Sequence, residues 1–263
     1  MRVGEKRKIN LAKIDTASTE GIKNKKEARK LLAETTAKIA DLQYKLYAEA
    51  KTGVLVVFQA PDTGGKDGVI RKVFGPINPQ GVRVTSFKRP TDEELAHDYL
   101  WRVHARVPAK GMIGVFNRSH YEDVLVHLVH KLISDKELEN RYRQINSFER
   151  YLTENNIVIL KFFLHISKDE QKRRLEARLE NPDKRWKFEM GDLKERQFWD
   201  KYQEAFEAAL DKCSTDRAPW YVIPADYKWY RDWAVAEIIL DTLKEINPKL
   251  PKEQDGLENV TIE

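Results

Sequence analysis

Cysteine is almost missing from this sequence: Cys213 is the only one in 263 residues. A single thiol forms no intramolecular disulfide and lacks the second thiolate of a zinc site, so Cys213 is expected to pack rather than react. Long apolar runs are missing too. No stretch approaches the ~20 residues needed to cross a bilayer, charged residues make up 34% of the chain, and the mean hydropathy is −0.64. These features predict a soluble protein with no membrane partner. The basic opening MRVGEKRKIN is followed by neither an apolar stretch nor a small-residue cleavage pattern, so it does not read as a secretory leader. A cytoplasmic location is the expectation. No Gly/Ser-rich or Pro-rich linker divides the chain, no internal repeat is visible, and 41% hydrophobic content over this length suffices for a sizeable core. One domain over 1–263 is expected.

What is plentiful is positive charge. A net charge of +5 and a pI near 9.0 suit a polyanionic partner. The charge concentrates in the first thirty residues and between Lys172 and Lys187, where seven Lys and Arg face only Glu176, Glu180 and Asp183.

Residues 1–24 are polar and weakly patterned, which predicts an arm with little structure of its own, available to a neighbouring subunit. Residues 25–51 space Leu31, Leu32, Ile39, Leu42, Leu46 and Tyr47 as one face of an amphipathic helix. Five short apolar runs read as strands: Gly53–Ala60, Gly81–Phe87, Gly111–Phe116, Ile157–Ile166 and Trp220–Ala225. Helical patterns separate them, including one opened by a Thr91/Glu94 capping box, one over 119–133 and another continuing through 155. Strand–helix alternation implies a five-stranded parallel sheet with helices on both faces, whose ligands bind beyond the carboxyl ends of the strands. Residues 251–263 read as a polar tail.

The unusual residues fall at those carboxyl ends. After the first strand the chain reads Ala60-Pro61-Asp62-Thr63-Gly64-Gly65-Lys66-Asp67-Gly68, close to the phosphate-binding pattern G-x-x-x-x-G-K-[ST]. Glycines allow successive backbone N–H groups to converge on phosphate oxygens, the next helix offers its positive end, and lysine adds a mobile charge. Ala60 stands where the first glycine belongs, and Asp67 replaces the hydroxyl that would hold a magnesium ion. Asp62 is a carboxylate available to take over that duty. An ordinary glycine turn would explain Gly64 and Gly65 but not the lysine directly after them.

The third strand exits into Asn117-Arg118-Ser119-His120-Tyr121-Glu122-Asp123. Arg118 offers a planar donor for phosphoryl oxygens. Asp123, four residues after Ser119, is the candidate second metal carboxylate, with Glu122 as its competitor; complementing a helix dipole is the plain alternative for both. After the fourth strand, a helix opened by Ser167 and Glu170 carries Arg174 and Arg178 four residues apart, suited to gripping one polyanion as part of a basic lid over about 167–195. Lys88 and Arg89, beyond the second strand, suit an acceptor nucleotide. The histidines show no metal-ligand spacing, and Trp101, Trp186, Trp199 and Trp233 read as core or subunit contacts.

Together, FQAPDTGGKDG, SFKRPTDEEL, FNRSHYEDVLV and RRLEARLENPDKRWKF closely resemble the family-2 polyphosphate kinases, from about Lys25 to beyond Trp233. The resemblance implies a three-layer P-loop kinase fold similar to thymidylate kinase, a basic helical lid, Mg²⁺ with Mn²⁺ as a substitute, and a homodimer or homotetramer. It implies inorganic polyphosphate and adenine or guanine nucleotides as substrates. By position, Asp62 and Lys66 match the family's loop carboxylate and lysine, Arg118 its arginine after the third strand, and Arg174 and Arg178 its lid arginines. The phosphate-binding set is then Thr63 through Gly68, Lys88, Arg89, Asn117, Arg118, Glu122, Arg174 and Arg178, with Asp62 and Asp123 at the metal. Many members carry aspartate where this chain has Asn117, and the NRSHYEDV spelling looks like the subgroup that phosphorylates both mono- and diphosphates. An ATP-dependent small-molecule kinase and a nucleic-acid-binding module are the rival readings. The crowded lid and Asp67 speak against the first; the second lacks an aromatic-basic ladder.

Overall fold

The computed structural model describes residues 1–5, 8–257 and 260–262. Five strands, β1 (Gly53–Gln59), β2 (Val82–Ser86), β3 (Ile113–Asn117), β4 (Ile157–His165) and β5 (Trp220–Pro224), form one parallel sheet in the order β2-β3-β1-β4-β5. Every residue of β1 is buried, as its unbroken apolar run requires of a strand paired on both sides. Its side chains alternate between two cores. Val54, Val56 and Phe58 face α1 (Lys25–Glu49), α2 (Lys66–Phe74) and α10 (Lys228–Ile246). Leu55 and Val57 face α5 (Glu122–His130), α6 (Asp135–Glu154) and α9 (Trp199–Cys213). The parallel sheet with helices on both faces is the one expected from the alternation, and its three layers are those of the P-loop kinase fold that the resemblance implies.

The helical expectations hold with adjustments. The Thr91/Glu94 capping box forms as read, but it opens only α3 (Asp92–Leu95), and α4 (Trp101–His104) is a separate turn. The two helices read over 119–133 and through 155 are α5 (Glu122–His130) and α6 (Asp135–Glu154), divided at Lys131, which adopts a left-handed φ of 52°. The amphipathic helix buries Thr35, Thr36 and Gln43 beside Ile39 and Leu46, whereas Tyr47 is exposed. Trp186 is 77% exposed and so is not a core residue, while Trp199 is buried. Cys213 is buried, and burial pushes its thiol up to about 12.

Among its described residues the arm forms one 3₁₀ turn at Leu11–Lys13 and an antiparallel bridge of Arg2 to Tyr221, and it is docked on its own chain. Val3 N donates to Trp220 O, Val222 N donates to Met1 O, and Val3, Ile9 and Leu11 are buried. Three residues thereby cover the open edge of β5. The predicted polar tail includes Glu258, Asn259 and Glu263, which lie outside the described residues, as do Lys6 and Arg7 of the arm. Among the described residues no helix is long and apolar enough to cross a membrane.

Register decides where the chemistry gathers. Phe58 and Ser86 both pair with Asn117, and Gln59 pairs with Phe163. The segments following β1, β2 and β3 therefore leave the sheet at one end.

Candidate active site

The loop from Ala60 to Gly65 turns through two left-handed residues, Thr63 (φ 62°) and Gly65 (φ 98°), before α2 begins at Lys66. Gly64 cannot carry a side chain, since a Cβ there would lie 2.5 Å from that of Ala60 and 2.8 Å from Pro61 O. At Gly65 a Cβ would overlap the guanidinium of Arg231. Lys66 Nζ donates to Ala60 O at 3.0 Å, so the ammonium is parked against its own strand end.

Arg118 meets this loop directly. Its own φ is 63°, its N–H donates to Phe58 O, and its Nη2 lies 2.9 Å from Asp62 Oδ1. Nη1 is 3.7 Å from Glu122 Oε2, so one guanidinium bridges two carboxylates. Glu122 first, and Asp62 after it, raise the Arg118 pKa against the opposing cost of burial. Asn117 Nδ2 donates to Asp67 Oδ1 at 2.7 Å, and Lys187 Nζ approaches Asp67 Oδ2 at 3.4 Å. Burial opposes ionisation of Asp67, but these two donors outweigh it and hold its carboxyl below the usual range.

Asp123 does not join this group. Its neighbours are Arg141, whose Nη1 donates to Asp123 O at 2.9 Å, and Arg102, whereas the Lys66 ammonium senses Asp62, Glu122 and Asp67. Adjacent helical residues diverge by about 100°, and here Glu122 takes the side facing the loop. The expected Asp62–Asp123 pair is not brought together: Glu122, not Asp123, shares Arg118 with Asp62. Burial pushes the Asp123 carboxyl up to about 6, and its Oδ2 is buried without a partner. A folded pKa above the unfolded value penalises the ionised form, so Asp123 lowers stability as pH rises from about 4 to above 6. Asp123→Asn is expected to gain on the order of 1 kcal/mol at neutral pH, to lose that gain near pH 4 in thermal melts, and to keep its turnover. Glu122→Gln, by contrast, loosens Arg118 and lowers turnover on the order of tenfold.

The lid arginines part company in the same way. In α7 (Lys168–Glu180), Arg174 is buried and lies behind the loop: Nη1 donates to Thr63 O and Gly64 O, Nη2 to Ala225 O and Asp226 O, and Nε to Glu170 Oε1. All its donors are engaged inside the protein. The shared polyanion grip expected of Arg174 and Arg178 is therefore corrected: Arg174 is a strut, and Arg178 alone stands on the open side. Arg178 Nη1 donates to Lys187 O and lies 3.4 Å from Asp192 Oδ2 in α8 (Met190–Arg196). Lys88 and Arg89 are exposed beyond the carboxyl end of β2.

Three contributors carried no motif. Asp192 lies 3.4 Å from Arg178 Nη1, and its carboxyl is raised by burial first and by the charge of Asp62 second. Gln171 bridges lid and loop, its Nε2 donating to Asp62 O while its Oε1 accepts from Arg196. Arg231 lies under the first turn of α2, with Nε and Nη2 on Asp232 and Nη1 buried without a partner. The glycines at 65 and 68, where a Cβ would overlap Arg231 Nη1 and lie 3.2 Å from Arg231 Nη2 respectively, are its traces in the sequence.

A glycine-rich anion loop, a lysine at its end, an arginine across from it and a basic lid above are the parts of a phosphoryl-transfer centre, and residues 22–251 match the family described as polyphosphate kinase 2. The chain belongs to that family. It is 54% identical over 249 residues to the AMP/ADP-polyphosphate phosphotransferase of Meiothermus ruber, covering 95% of this chain and 92% of that one. It is 44% identical to the ADP-polyphosphate phosphotransferase of Rhodopseudomonas palustris, covering 95% and 91%. The crystal structure of polyphosphate kinase 2 from Arthrobacter aurescens TC1 superposes with a TM-score of 0.93 at 48% identity, over 95% of this chain and 90% of that one.

Kinases such as the polyphosphate kinase 2 enzymes use a divalent metal, and the carboxylates here fit one. Asp62 and Glu122 present carboxylate oxygens on either side of Arg118 at the mouth of the loop, and a magnesium site needs only one or two carboxylates beside substrate oxygens. Among the described residues no cluster of three or more acidic, His or Cys ligands exists, which suits a metal completed by phosphates rather than caged by protein.

Lys66 sets a pH limit on this polyphosphate kinase 2 site. Burial first, and Arg118 second, lower its pKa to about 8 against the pull of Asp62, Glu122 and Asp67. The ammonium is present below that value and lost above it. In pH profiles, kcat/KM for polyphosphate is expected to fall above about pH 8, approaching tenfold per unit, while kcat holds to higher pH because bound phosphate restores the charge.

Proposed function

We propose that this chain is a polyphosphate-dependent nucleotide kinase, moving a phosphoryl group between inorganic polyphosphate and nucleoside mono- or diphosphates: AMP to ADP and ADP to ATP. The observation that carries the reading is the contact of Arg118 with Asp62 at the mouth of a loop that ends in Lys66. Such an array is built to neutralise charge on a transferring phosphoryl group, and positioning with charge neutralisation is most of what this reaction requires.

Loop N–H groups and Lys66 receive the terminal polyphosphate group. Arg118 and Arg178 face its oxygens from the opposite side, and Lys88, Arg89 and Asn117 border the acceptor. Asp62, with Asp192 from the lid, would hold Mg²⁺, which would supply Lewis-acid neutralisation of the phosphates when bound. A diphosphate acceptor is already ionised at neutral pH, so no side chain must act as base. The lid excludes water, which would otherwise compete as acceptor. We place the reaction in the cytoplasm, with adenine or guanine nucleotides as acceptors and a homodimer or homotetramer as the assembly.

Mixing the protein with ADP, Mg²⁺ and long-chain polyphosphate, without ATP, tests the reading. ATP should appear and should fail to appear when EDTA is added. Silence in that mixture, with turnover only when ATP is the donor, would replace it with an ATP-dependent kinase.

A further inference from the structure

A fully buried charge sits in the middle of the sheet, away from the phosphate loop. Lys161 of β4 has no solvent exposure, and its three hydrogens all have acceptors: Glu149 Oε2 at 2.5 Å, Cys213 O at 2.6 Å and Tyr121 OH at 2.9 Å. Tyr121 in turn donates to Glu149 Oε1 at 2.8 Å, and His120 Nε2 lies 3.4 Å from that oxygen. The Tyr121 ring meets Trp220 edge-on, with centroids 4.7 Å apart, and Lys161 Nζ lies 5.3 Å from both ring centroids.

Buried ion pairs are weak sources of stability, because desolvation consumes most of their attraction and apolar replacements of similar volume are often neutral. The location of this one suggests another use. Residues 119–121 are almost wholly buried: Ser119 Oγ accepts from Gln59 Nε2 and Tyr121 N, and His120 and Tyr121 end on Glu149. The residues on either side, Arg118 and Glu122, are the ones that reach the phosphate loop. Arg118 holds a left-handed backbone conformation, which costs energy in an arginine and persists only where its surroundings enforce it.

We propose that Lys161, Glu149 and Tyr121 are positioning residues, a buried ionic anchor whose task is to hold Arg118 and Glu122 against Asp62. This rests on the phosphoryl-transfer reading of that site. None of the three touches the reacting groups; they act by fixing the segment between the two that do.

Two variants test it. Tyr121→Phe keeps the ring and removes only the hydroxyl link, and Lys161→Met with Glu149→Leu removes both charges together. Melting temperatures should stay within a few degrees of the parent, while kcat falls about tenfold in the first and more in the second. In an Arg118→Ala background Tyr121→Phe should have almost no further effect on kcat, because a positioning residue has nothing left to position. The Arg118 side-chain N–H signal in NMR, sharpened by the Asp62 contact, should broaden in Tyr121→Phe, a readout that needs no turnover. Parent-like kcat with an unchanged Arg118 signal, or effects that simply add to Arg118→Ala, would overturn the proposal. An inactive parent protein would sink the kinase reading while the NMR signal still decided this one.

Discussion

Turnover in Asp62→Asn and in Lys66→Ala is expected to drop at least about a hundredfold, with circular dichroism and melting behaviour close to the parent's. Neither residue is needed by the core. Asp62 and Lys66 are partly exposed, and the loop's turn is held by other groups: the Gly64 N–H to Pro61 O bond and the Arg174 guanidinium on Thr63 O and Gly64 O. What the substitutions remove is charge at the transfer point. Asp62→Asn leaves Arg118 paired only with Glu122 and deletes the carboxylate proposed to hold the metal; Lys66→Ala deletes the loop's cation. Turnover within a few-fold of the parent in either variant would refute these assignments.

The second large effect is expected from Gly65→Ala. A left-handed φ of 98° disfavours any side chain, and the added methyl would overlap Nη1 of the buried Arg231 guanidinium. Backbone strain of about 1–2 kcal/mol and displacement of Arg231 should together cost roughly 3 kcal/mol in denaturant melts. The polyphosphate KM should rise as well, since the loop N–H groups lose their common direction. Arg231→Met in combination with Gly65→Ala should recover part of the stability, because it removes the steric conflict but not the strain. Equal losses in the single and double variants would show that Arg231 is not the obstacle.

Much of this was readable beforehand, and the boundary has physical reasons. Strands announce themselves when both faces are buried, as in Gly53–Gln59, because nothing polar interrupts the run. The Thr91/Glu94 box closed as spaced since both ends of the pairing are local. The similar Ser167/Glu170 spacing was only half realised. Ser167 Oγ accepts from Glu170 N, but the Glu170 carboxylate is taken by Arg173 and Arg174, a competition between partners that spacing does not rank. Choosing between Glu122 and Asp123 required knowing how α5 is rotated, which the packing of Val124, Leu125 and Val129 decides. Arg174 looked like a surface cation because arginine on a charged helix usually is one; four backbone carbonyls from two distant segments drew it inside. Asp192, Arg231 and Lys161 belong to no motif, and their importance arises from three-dimensional neighbours alone.

The tethering of the basic helices has one more consequence. Arg174 is bound to the loop at one foot of the lid, and at the other Arg196 donates to Lys168 O and to Gln171, which itself holds Asp62 O. A cover pinned at both feet cannot swing open like a door. It flexes as an arch between them, and the clearance available to an incoming substrate is limited by how far about twenty residues of span can bow outward.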